Sequence, residues 1–281
     1  MRSRISAQVI AATGSAFSLV LLISGCGLGV EEAEQPGGPA GGGMEAAQAS
    51  APEPAGGQHS HEEMRTALEE TTEGADLTDT DDWWESLRDL NRELQKLRVS
   101  PDDCKAFVTA SALPVPSGAL TAVADHPPRQ TAIYSFEGDD EAQSYVSQEL
   151  EGAEQCDEHT VTRALEDGDV AADTTLEEVE IRSGAEDVLA VSSVMESEEE
   201  TQWGLAVMLR HDSTVVGTSQ VLEAAVGQDE AEEIVVELEA EAAAVLSAVT
   251  GEELVVPEPE PEDDDESADE DDAEEDDADE D

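Results

Sequence analysis

Between about residues 160 and 221 the chain alternates apolar and polar residues with a period of two in five successive segments. These read "HTVTRAL", "TLEEVEI", "VLAVSSVME", "QWGLAVMLRH" and "STVVGTSQVL". The breaks "EDGD", "SGAED" and "ESEEE" are short and polar, and "RHDST" reads as a tight turn. A period of two puts successive side chains on opposite faces of a strand. Breaks this short leave room for hairpins but not for the crossover helix that parallel strands need. The segment is therefore expected to be an antiparallel meander, and the rest of the chain has to cover it.

Upstream, "ALTAVADH" and "QTAIYSFEG" read as a further pair of strands joined by "HPPR". Helical periodicity surrounds these strands. "SHEEM" is a capping box, Ser60 with Glu63, opening a helix that stops near Gly74. In "TDDWWESLRDLNRELQKLR" the residues Trp83, Leu87, Leu90, Leu94 and Leu97 form one apolar stripe, expected to pack against the domain that follows. "SPDDCKAFV" predicts a helix capped by Ser100, with Pro101 at its first position and Asp103 closing the box. A further helix starts at Asp139 and carries Ala142, Tyr145, Val146 and Leu150 on one face. The last helix points Ile234, Val235, Leu238, Ala242, Val245, Leu246 and Val249 inward and stops at Gly251. The expected class is α+β, an antiparallel sheet with helices packed on one face.

The two ends are different in kind. Arg2 and Arg4 precede a short apolar run, Val9 to Ile23, too short for the ~20 residues of a bilayer-spanning helix. "ISGC" (Ile23 to Cys26) resembles the lipobox of bacterial lipoproteins. That resemblance implies a signal peptide over residues 1–25 and a lipid, with palmitate among its chains, on Cys26. The protein is then held on the extracytoplasmic face of the cell membrane. Residues 26–59, rich in Gly, Pro and Ala, are expected to be a flexible tether. Residues 60–98 are expected to be a helical segment, 99–251 the α+β domain and 252–281 a disordered acidic tail. The final 24 residues include 18 acids and cannot bury enough surface to fold.

Charge and cysteines bound the function. The chain has 12 Lys and Arg against 71 Asp and Glu, a net of -59, which repels nucleic acid and anionic headgroups. An acidic excess spread along the whole chain also suits a salty or alkaline habitat. With Cys26 lipidated, Cys104 and Cys156 remain. In an exported protein a disulfide between them is the natural reading, the other being two buried thiols.

The features "SPDDC" before a helix, paired strands, a helix ending "EGAEQC", a meander and a final amphipathic helix occur in that order. This order resembles the extracytoplasmic sensor-type domain of PknH-like actinobacterial kinases, shared by related cell-envelope lipoproteins. The likeness covers about residues 100–251 and implies a sensor-like, ligand- or partner-binding domain. Gln155 stands before Cys156 where such domains carry an aromatic, and the chain has one cysteine pair where they often have two.

Motifs for chemistry are incomplete. "HEEMR" puts Arg65 where a zinc-protease helix needs histidine, and "GTSQV" gives Ser219 no closing glycine. "DGDVAADTTLEE" offers Asp167, Asp169, Asp173 and Glu178 to calcium, but Ala171 and Ala172 replace an oxygen ligand and the turn glycine. His126, His159 and His211 are scattered, and "HSH" (His59, His61) is a weak pair of nitrogens for copper or zinc. The expectation is a non-enzymatic surface protein with no catalytic residue, no metal and no cofactor. Its partners are the membrane, through the lipid on Cys26, and an unidentified envelope ligand or protein. The alternatives are an envelope hydrolase with an unrecognised site and a cation-handling lipoprotein.

Overall fold

The computed structural model describes residues 54–256, apart from 79–86, 88, 114, 166–167 and 182. The signal segment, Cys26, the tether up to residue 53, Trp83 and the tail from residue 257 lie outside the described residues.

The alternating segments form strands as their pattern requires. β5 (Glu158–Leu165), β6 (Gly168–Glu178), β7 (Asp187–Ser197), β8 (Thr201–His211) and β9 (Thr214–Leu222) pair in sequence, all antiparallel. The hairpin of β3 (Leu120–His126) and β4 (Arg129–Ser135) joins them through β4 against β9. Two short strands close the edges, β1 (Asp76–Leu77) on β3 and β2 (Arg98–Ser100) on β5. The result is one sheet of nine described strands, in the order β1-β3-β4-β9-β8-β7-β6-β5-β2. With its helices this is the expected α+β class.

Helices cover both faces, where one covered face was expected. The reason is legible in β3, β4 and β9: residues 120–124, 130–135 and 214–218 are buried without alternation. A strand buried on both sides needs a layer on each. On one face α1 (His61–Thr71) and α4 (Gln228–Thr250) bury Met64, Leu68, Leu238 and Leu246 against Ile133, Val207, Leu209 and Val216. Each such side chain contributes roughly 1.5–3 kcal/mol relative to exposure. On the other face α3 (Asp139–Gln155) sets Ala142 and Val146 over Val123, Tyr134, Leu189, Met208 and Val215. The Tyr134 and Phe136 rings meet Tyr145 there, with centroids 5.8 and 5.5 Å away.

Capping follows the sequence at both ends of this scaffold. Ser60 accepts from the Glu63 N–H while the Glu63 carboxylate accepts from the Ser60 N–H. Gly251 closes α4 with φ 76°, a left-handed conformation that suits glycine, and its N–H bonds Ser247 O. The start of α2 (Lys105–Ser111) differs from expectation. Ser100 belongs to β2 and pairs with Thr160, so it does not cap, and a 3-10 turn over Asp102–Cys104 leads into the helix. The ends of the domain are held as well. Gln58 Nε2 donates to Gly118 O and Ser135 O, and Leu254 and Val256 pack on the α1/α4 core.

Candidate functional site

Strands β6, β7 and β8 each run 11 residues. At ~3.3 Å per residue they span about 36 Å, whereas a helix with side chains is only about 10–12 Å across. α3 therefore covers one part of that face, and α2 stands towards the β5 edge. The two helices touch through Phe107 and Gly152, and beside them, over β6 to β9, lies a groove.

Its floor is shallow because its side chains are small. Ser193 faces Gly204 across β7 and β8, and Ala206 faces Ser219 across β8 and β9, all of them lining the groove. At Gly204 an added Cβ would lie 2.8 Å from Ser193 Oγ, so the floor admits nothing larger without a shift. Apolar walls come from Phe107 of α2, Ala153 of α3, and Leu176, Val191, Met195 and Val221 of the sheet. Among the described residues, no Asp, Glu, Lys, Arg or His lines the groove.

The wall is braced from outside. Cys104 and Cys156 are joined as a disulfide across 52 residues, with Cα atoms 5.6 Å apart. It ties the entry of α2 to the exit of α3 and is buried with Leu94, Leu97, Val99, Val108 and Val161. Further along, Ser111 of α2 donates through its hydroxyl to Glu149 Oε2 of α3 at 2.9 Å. Glu149 is 4% exposed, and burial pushes its carboxyl up to about 7, against the opposing pull of that hydrogen bond. Ser111 itself lines the groove.

The residues singled out by motif go elsewhere. Asp169, Asp173 and Glu178 are spread along β6, where Asp169 pairs with Arg98 and Asp173 accepts from Thr160 Oγ1. An extended strand cannot wrap a calcium ion as a loop does; Asp167 is outside the described residues. His126 Nε2 lies 3.0 Å from Glu241 and 3.3 Å from Thr131 Oγ1. Carboxylate and hydroxyl approach the same nitrogen, so the relay of a nucleophilic triad, which needs opposite nitrogens, is not formed. Arg129 pairs with Glu237 and Glu241 beside it, and the cluster ties α4 to the β3–β4 hairpin. His211 meets Glu252 at 2.9 Å. Ser219 sits within β9 and not on a strained turn. His59 docks through its N–H on Ser135 Oγ, and His61 begins α1 with burial lowering its pKa.

No family model matches the chain, and no curated protein matches it. Among solved structures, the chain is similar to the crystal structure of the extracellular domain of PknH from Mycobacterium tuberculosis. The two are 19% identical with a TM-score of 0.38, over 56% of this chain and 78% of that one.

Sequence reasoning did not find the groove. Its signal was the run of small residues, Ser193, Gly204, Ala206 and Ser219, at period-two positions where a covered strand would carry large ones.

Proposed function

We propose that the protein is a lipid-anchored, extracytoplasmic binding protein, non-enzymatic and sensor-like, whose ligand enters the groove beside α2 and α3. The observation that carries this is the groove itself, a concavity whose described lining holds no charged side chain. Apolar walls with a few polar groups among them are what small-molecule sites present. The disulfide supports an oxidising, exported location. The lipobox-like "ISGC" ending at Cys26 supports a lipid anchor at the membrane, with residues 27–53 between anchor and domain.

The experiment is a titration with Nile red, a neutral apolar dye, on the full chain and on Ala206→Phe. Saturable fluorescence with the wild type and its loss in the variant is the expected result. Equal dye binding by both proteins would overturn the assignment of the site.

A further inference from the structure

The groove is not uniformly apolar. One cross-strand row at its outer end carries buried polar atoms with no protein partner. Thr174 of β6 faces Met195 of β7, which faces Gln202 of β8. Thr174 Oγ1 and Gln202 Oε1 are both buried and unpaired, and both residues line the groove. The row continues into β5, where His159 faces Thr174 and its Nε2 is also buried and unpaired. His159 Nδ1 lies 2.9 Å from Cys156 O and donates to it, which leaves Nε2 an acceptor.

A buried polar atom without a partner is costly, so native proteins rarely keep several together. Two of these three atoms are acceptors, and the hydroxyl between them both accepts and donates. What such a row lacks is a donor. A charged donor is disfavoured, because no carboxylate among the described residues lines the groove to pair with it. A carboxylate or phosphate is disfavoured more strongly, since no Lys or Arg among the described residues lines the groove and the chain carries a net charge of -59.

Resting on the groove being the binding site, we infer that its occupant is an uncharged, mainly apolar molecule ending in a hydrogen-bond donor, a hydroxyl above all. The apolar body lies on the small-residue floor against Phe107, and the hydroxyl reaches the Thr174–Gln202 row.

Two isomeric probes separate donor from body: nonan-1-ol and methyl octyl ether share size and composition, but only the alcohol donates. Nonanoate tests charge. Calorimetric titration of the full chain is expected to show nonan-1-ol binding about tenfold tighter than the ether, the worth of one hydrogen bond. Nonanoate should bind more weakly than either. The double variant Thr174→Val, Gln202→Leu should hold alcohol and ether equally, and Ala206→Phe should hold neither. Ser193→Leu replaces Ala206→Phe if that variant fails to unfold cooperatively.

Equal wild-type affinity for alcohol and ether, with the filled groove blocking both, overturns the donor-reading row and leaves the groove as the site. Tightest binding by nonanoate overturns the uncharged class. No probe binding to the wild type, or unchanged binding to the filled variant, overturns the groove reading itself.

Discussion

At Gly152 of α3 an added Cβ would lie 2.2 Å from Cδ2 and 2.8 Å from Cγ of Phe107. These are ring atoms near the root of the side chain, so Phe107 cannot swing its tip aside. In an open helix Gly→Ala stabilises by about 1 kcal/mol. Here overpacking costs roughly 1–3 kcal/mol and prevails. Gly152→Ala is expected to lower the urea midpoint and, by displacing Phe107, to weaken dye binding in the groove. Glu149 gives a second residue-scale outcome. Its folded pKa of about 7 stands above the 4.5 of a free glutamate, so between these pH values the unfolded chain releases a proton that the folded one keeps. Stability is therefore full below about pH 4.5, falls as pH rises towards 7, and levels off above it. The loss is at most ~3 kcal/mol. Glu149→Gln still accepts from Ser111 and should flatten this part of the curve, gaining stability at pH 8 and little at pH 4. Parallel pH profiles of the two proteins would contradict the buried-acid assignment.

Among the elements, α2 depends most on its tether. It has seven residues, too few for a helix to persist unaided, and its start lacks a side-chain cap. The Cys104–Cys156 bridge and the packing of Val108 hold it beside β5. Cys104→Ser or Cys156→Ser is expected to cost roughly 2–5 kcal/mol. The same change should loosen the Phe107 wall, so thermal midpoint and dye affinity should fall together. A drop in stability with unchanged affinity would separate the bridge from the groove. Elements of this kind also show where sequence reading stops. Four of the five meander strands, the β3–β4 hairpin, α3 and α4 follow periodicity over seven residues or more, and α1 follows its capping box. β1 and β2 have two and three residues and no period to read, and β2 hid in "VSP", which imitates a capped helix start. β6 begins at Gly168 although "DGDVAAD" looks like a loop, because it is exposed for most of its length and carries no apolar alternation until Thr174.

For the whole molecule, the nature of the layers was less legible than the strands. Continuous burial in β3, β4 and β9 implies two covered faces, but their runs mix Ala, Thr, Ser and Val and do not look like a core. The groove was hidden for a related reason, since it is defined by what α2 and α3 leave uncovered, a property of tertiary placement. The proposed anchoring rests on the sequence at Cys26 and not on the fold. Cys26→Ala is expected to shift the protein from the membrane fraction to the soluble one or leave it unprocessed, with no label from radioactive palmitate. Labelling of the variant at the wild-type level would exclude Cys26 as the acceptor. The central claim, that ligand enters the uncovered part of the α3 face, is tested most directly by methyl NMR during titration with nonan-1-ol. Shifts are predicted at Leu176, Val191, Met195 and Val221, with Leu238, Val245 and Leu246 on the buried face of α4 unmoved. Shifts centred on the α4 face, or no saturable shift at the groove, would contradict it.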